Sequence, residues 1–117
     1  MSNKLGADGE KIAVSFLRKK GYKILAQNWR HGHLEIDIIA RRDNFLVVVE
    51  VKTRGSDTFG NPSQFVKTKK QRHLYKAIEE YIETSNYIGE VSFDIISIYK
   101  EDNSWKTEHY EDAFYPY

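Results

Sequence analysis

Apolar residues first recur at helical spacing between Ser2 and Lys20, where Leu5, Ile12, Ala13, Phe16 and Leu17 share one face. Gly21 then stands where such a helix should stop. Tyr22 to Arg30 reads as a strand with imperfect alternation, and His31-Gly32-His33 as a polar turn. Leu34 to Arg41 and Phe45 to Thr53 are rich in Ile and Val and predict two strands joined at Asp43-Asn44 in a tight hairpin. The small and polar residues from Arg54 to Gln64, with two glycines and a proline, predict a loop. Phe65 to Thr84 predicts a second helix, with Val66, Leu74, Ala77, Ile78, Tyr81 and Ile82 on its apolar stripe. Val91 to Tyr99 is a further strand, and Trp105 to Tyr110 a last edge strand. The order α-β-β-β-α-β(-β) predicts an α/β fold, a mixed sheet flanked by helices.

The hairpin carries the chemistry. A turn centred on Asp43-Asn44 sets Ile36 opposite Val51, Ile38 opposite Val49 and Ala40 opposite Val47. Side chains alternate along a strand, so these six would form one apolar face. On the other face Ile39 meets Val48, then Asp37 meets Glu50, and Glu35 meets Lys52. Cross-strand partners have β-carbons only ~4.5–5.5 Å apart, and like charges set there are destabilising. Two anions ~4 Å apart repel by ~4 kcal/mol at an effective dielectric of about 20. A divalent cation or a shared proton relieves such a pair. Strand ends reaching water, with Lys52 paired to Glu35, would also relieve it. The lysine on the same face tips the balance towards metal-assisted phosphodiester hydrolysis. Lys52 would orient the attacking water or neutralise charge developing on the phosphorane. All the donors are oxygens, which selects Mg²⁺ or Mn²⁺ over Zn²⁺.

At these residues the sequence resembles a known family. The carriers are Gly9-Glu10, Gly21-Tyr22 with Ile24-Leu25 and Asn28, Glu35 to Ala40, Glu50 to Arg54, and Lys70 with Arg72. They look like the YraN-like family of small bacterial proteins, placed in the restriction-endonuclease-like superfamily near the archaeal Holliday-junction resolvases. The resemblance runs from Gly6 to about Ile98. It implies a restriction-endonuclease-like fold, Asp37 and Glu50 as metal carboxylates, the Val51 carbonyl as a further ligand, and Lys52 as the catalytic lysine. It alone gives Glu10 a role, as the helical glutamate completing the site. Two positions depart from the pattern: Ile36 stands where the superfamily has proline, and Leu34 where the family usually has glycine.

Net charge is only +1, but its distribution is uneven. Lys52 to Lys76 holds seven bases against Asp57, whereas Ala77 to Glu90 holds four glutamates and no base. That asymmetry suits one anion-binding face. Lys67, Lys69, Lys70 and Arg72 open the second helix, against the preference of its dipole for acids. Phosphates received there would explain them, together with Arg54 from the preceding loop. Gln71 and Tyr75 show a Q-x-x-x-Y spacing found in some relatives of the superfamily, with Tyr75 equally readable as packing. His31 and His33 read as turn residues, since no further ligand is evident nearby. Asp94, inside an apolar strand, has no assignment from sequence.

Length restricts the chain to one domain, 1–117, with an aromatic tail over 110–117 that includes Phe114, Tyr115 and Tyr117. That tail, with Trp105 and Tyr110, predicts packing over the core or a partner chain. The absence of cysteine excludes disulfides, thiolate zinc sites and cysteine nucleophiles. No apolar run spans a bilayer and the N-terminus is unlike a signal peptide, so the expectation is a cytoplasmic protein without membrane contact. The function expected is an Mg²⁺-dependent (or Mn²⁺-dependent) endonuclease acting on DNA, branched or single-stranded. A homodimer would suit a reaction that needs two nicks. The alternatives are a nucleic-acid-binding or scaffold protein keeping the fold without catalysis, and an RNA hydrolase.

Overall fold

A computed structural model describes residues 4–54 and 66–116. The predicted loop beyond Arg54, the predicted helix start at Phe65, and Ser2 and Tyr117 lie outside the described residues. The elements run α1 (Lys4–Lys19), β1 (Lys23–His31), β2 (Leu34–Arg42), β3 (Phe45–Arg54), α2 (Thr68–Ser85), β4 (Glu90–Glu101) and β5 (Ser104–Tyr110). This is the α/β order read from the hydrophobic pattern. The strands form one sheet in the order β1-β2-β3-β4-β5. Only β3 and β4 run parallel, because the connection between them carries α2 across the sheet. The other neighbours are antiparallel.

Local chemistry sets the ends. Gly21 takes φ +95°, and the Tyr22 N–H donates to the Leu17 carbonyl at 3.0 Å, the closing pattern of a helix ended by glycine. Asn86 ends α2 in the left-handed region, its N–H bonded to the Ile82 carbonyl. Asp43 takes φ +53° at the predicted hairpin turn. Gly9 is required by a close approach. A methyl group there would strike the Thr53 hydroxyl and come within 3.2 Å of Thr53 Cβ. The start of α1 therefore lies directly on the end of β3.

Each face of the sheet carries its own core. Under α1, Ala13, Val14, Leu17 and Tyr22 pack on Ile38, Ala40, Val47, Val49, Ile96 and Ile98. Under α2, Leu74, Ala77 and Ile78 pack on Ile36, Ile39, Leu46, Val48, Phe93 and Ile95. The expectation that Ile36 shares a face with Ile38 and Ala40 is thus wrong. Its Cα partner is Trp29 of β1, which also packs on the α2 side. Alternation breaks between Ile36 and Ile38, beside Asn28 at φ +49°.

Asp94, unassigned from sequence, is fully buried. It accepts from the Ser92 hydroxyl at 2.7 Å and the Asp112 N–H at 3.0 Å, and pairs with His109 Nε2 at 2.7 Å. The other ring nitrogen of His109 lies 2.8 Å from Lys20 Nζ. An ammonium only donates, so Nδ1 accepts and Nε2–H points to Asp94. Phe114 is buried against Phe93, ring centroids 5.4 Å apart, so part of the aromatic tail covers the core as expected. Tyr115 stays exposed.

Candidate active site

The site is built where two strands part. From the hairpin turn, β2 and β3 pair in the predicted register, Arg42 with Phe45 through to Ile38 with Val49. Beyond that point they diverge. Ile36, Glu35 and Leu34 pair only with β1, while Glu50 to Arg54 pair with Ile95 to Tyr99 of β4. Asp37 sits in the fork. Its Oδ2 accepts the Val51 N–H at 2.9 Å, so a side-chain oxygen takes the place of a ladder carbonyl. Asp37 and Glu50 are neighbours, as the hairpin arithmetic requires, but across an opening and not as a ladder pair.

Glu50 is 5% exposed. Its Oε2 lies 3.6 Å from Lys70 Nζ, delivered by α2, and its Oε1 is buried with no hydrogen-bond partner among the described residues. Burial first, then the Asp37 charge, push the Glu50 carboxyl up from its ordinary 4.5 to about 7. Lys70 and Lys52 oppose that push. Protonated, Glu50 would share its proton with Asp37, which raises Glu50 further and lowers Asp37. Asp37 itself is raised, because burial outweighs the Val51 N–H and Lys70. Glu10 is raised too, by burial and then by Asp37, against a hydrogen bond from Asn28. Three acids on α1, β2 and β3 thus share one electrostatic neighbourhood.

Glu10, which only resemblance assigned, is therefore brought to the fork by α1. Lys52 is half-buried and near enough to stabilise the Glu50 charge. Val51 contributes its N–H to Asp37. Glu35 departs from expectation. It pairs with Arg30 through both Nε and Nη2 at 3.0 Å, on the neighbouring strand, and not with Lys52 across the hairpin. The reason is the fork, which removes β3 from its reach. Its charge still raises Asp37 and Glu10.

The basic set divides. Lys67, Lys69 and Arg72 are exposed along the start of α2, whose first turn has no acid and whose N-terminal cap has no side-chain hydrogen bond. Lys70, expected beside them on phosphate, is turned to Glu50. Arg54 lies close enough to the Tyr110 phenol to oppose its upward shift, which burial causes first and Glu108 second. Gln71 Nε2 donates to the Val66 carbonyl at 2.9 Å and so holds the approach to α2. Tyr75 packs at the edge of the α2 core. The turn holds Gly32 and His33 but not His31, which ends β1 and stacks on Trp29, while His33 meets His73 edge-on. Among the described residues no three His, Asp or Glu side chains are gathered tightly enough to cage an ion. What fits a cation is the donor chemistry: all oxygen, including Glu50 Oε1, which is buried with no hydrogen-bond partner among the described residues.

Sequence reasoning missed Asn28 as a partner of Glu10, and Lys70 as a partner of Glu50. Neither carried a local signal, since each meets its partner only through packing of distant elements.

The fold and site define a class: a mixed five-stranded α/β domain with a buried Glu50, a half-buried Asp37 and two lysines at a forked strand pair. Comparison of sequences names the family. The profile described as Uncharacterised protein family UPF0102 matches residues 9–98, and the chain belongs to that family. It is 53% identical over 113 residues to UPF0102 protein FP2501 of Flavobacterium psychrophilum, covering 97% of this chain and 95% of that protein. It is 43% identical over 115 residues to a UPF0102 protein of Syntrophomonas wolfei, covering 97% and 100%. A UPF0102 protein of Bacteroides thetaiotaomicron is 40% identical over 114 residues, covering 97% and 94%.

Proposed function

We propose that the chain is a metal-dependent endonuclease of the restriction-endonuclease-like kind, acting on branched or single-stranded DNA in the cytoplasm. One observation carries the reading. A buried carboxylate oxygen without a partner, Glu50 Oε1, lies beside Asp37 with Lys52 adjacent. A protein under pressure for stability alone would not retain that combination, because an unpaired buried acceptor costs ~1–3 kcal/mol and more when charged. Asp37, Glu50, Glu10 and the Val51 carbonyl would hold Mg²⁺ or Mn²⁺. The ion would supply Lewis-acid polarisation of a phosphoryl oxygen.

The remaining roles belong to the chain. Asp37 is held in place by the Val51 N–H, so its oxygen is oriented before any ligand arrives. Glu10 is steadied by Asn28. Lys52 holds the attacking water or neutralises charge on the phosphorane. Arg54, Lys67, Lys69 and Arg72 grip the backbone by neutralising phosphates, which makes affinity fall steeply with salt. A homodimer would let one complex cut two strands.

A second reading has an observation of its own. Lys70 already pairs with Glu50, and three ligands are not gathered among the described residues, as suits a nucleic-acid-binding protein that keeps the fold without cutting. Purified protein incubated with forked, four-way and linear DNA, and with RNA, in Mg²⁺ or Mn²⁺ separates the two. Cleavage of DNA that disappears in Glu50→Ala and Lys52→Ala supports the nuclease. Salt-sensitive binding without cleavage supports the binding protein. Cleavage of RNA alone would replace the substrate, and cleavage surviving both substitutions would refute the site.

A further inference from the structure

Lys70 stands apart from the other bases of α2. Lys67, Lys69 and Arg72 project from the helix start, whereas the Lys70 ammonium reaches back to Glu50 Oε2 at 3.6 Å. Its own side chain is 43% exposed and that of Glu50 only 6%, so a half-solvated cation rests on a buried anion. The second Glu50 oxygen is buried with no hydrogen-bond partner among the described residues. An ammonium at ion-pair distance therefore faces one oxygen of a carboxylate that burial has stripped of water. Lys52, the other base whose charge acts on Glu50, rides on the same strand as Glu50 and is not brought to it by α2.

We infer that Lys70 is the resident counter-cation of this centre, competing with a divalent ion for Glu50 and released from it when the ion binds. This rests on the metal reading above and adds to it a positioning residue. Two cations near one carboxylate repel each other, and in a partly buried setting that repulsion is poorly screened. The ammonium has a long stem and an exposed flank, so it can swing towards the neighbouring bases of α2. There it would add to the charge that meets a phosphodiester. Metal binding and phosphate binding would then favour each other, because each occupies what the other vacates.

Calorimetric titration with Mn²⁺ tests this, with thermal shift as a second readout and no need for catalysis. The measurements are made at pH 8 and again at pH 8.5, because removing Lys70 takes away a charge that lowers the Glu50 carboxyl. Lys70→Met removes the charge at an exposed helix position that tolerates methionine, and Lys70→Arg keeps it. The expected result is Mn²⁺ binding about tenfold tighter in Lys70→Met than in wild type, near wild-type affinity in Lys70→Arg, and none in Glu50→Gln. Mn²⁺ affinity in Lys70→Met equal to or weaker than that of wild type would overturn the competition and leave the metal centre standing. Absence of Mn²⁺ binding from every variant would overturn both.

Discussion

At the scale of single residues, Glu50 and Gly9 give the sharpest expectations. The Glu50 carboxyl holds its proton more tightly folded than unfolded, since its folded value is about 7 against an ordinary 4.5. The stability it contributes is therefore fully present below about pH 4.5 and is lost as pH rises through about 7. Denaturant melts from pH 4.5 to 8 should show wild type losing up to about 3 kcal/mol relative to Glu50→Gln. Parallel pH profiles for the two proteins would refute the burial argument. Gly9→Ala sets a methyl group against Thr53. A loss of about 1–3 kcal/mol is expected from such overpacking, read by thermal melting. Thr53→Ala should recover most of it, because it removes the group that is struck.

At the scale of elements, the two ends of the chain are tied by means the sequence hides. Asp94 holds β5 and the following turn through His109 and Asp112. Asp94→Ala would leave a buried imidazole N–H and a backbone N–H without acceptors. A loss of about 2–4 kcal/mol should follow, with hydrogen exchange accelerating in β5 before β3. Equal acceleration in both strands would mean that Asp94 supports the whole sheet and not its edge. The start of α2 makes the opposite trade. With no acid in its first turn and exposed Lys67 and Lys69, it sets its charges against its dipole. Replacing both lysines by glutamate should stabilise the protein by about 0.3–1 kcal/mol per site. The same change should abolish salt-sensitive DNA binding, measured by fluorescence anisotropy. Unchanged binding would move the phosphate contacts elsewhere.

At the scale of the whole molecule, an antiparallel hairpin and a parallel crossover share the strand β3, and it is their divergence that opens the site. No helix among the described residues is long and apolar enough to cross a membrane. Much of the architecture was legible in advance. Periodicity, with glycine stops and turn residues, located both helices and four strands and offered β5 as an optional edge strand, because burial of one face imposes its period on local sequence. The hairpin register was legible from Asp43-Asn44 because a tight turn aligns the residues on either side of it. That alignment sufficed to bring Asp37 beside Glu50. It failed at Ile36 and Glu35, where Asn28 in the left-handed region and the Asp37–Val51 bond end the ladder.

Interactions between near neighbours in the chain are thus written in the order of residue types: helix, strand, turn and the meeting of two acids across one turn. The arrival of Glu10 from α1, of Lys70 from α2 and of His109 on Asp94 was decided only by packing. Those partners lie far apart along the chain, and many pairings of such residues are compatible with the same local pattern. Burial of both sheet faces selects one of them, and that selection leaves a single Glu50 oxygen without a partner.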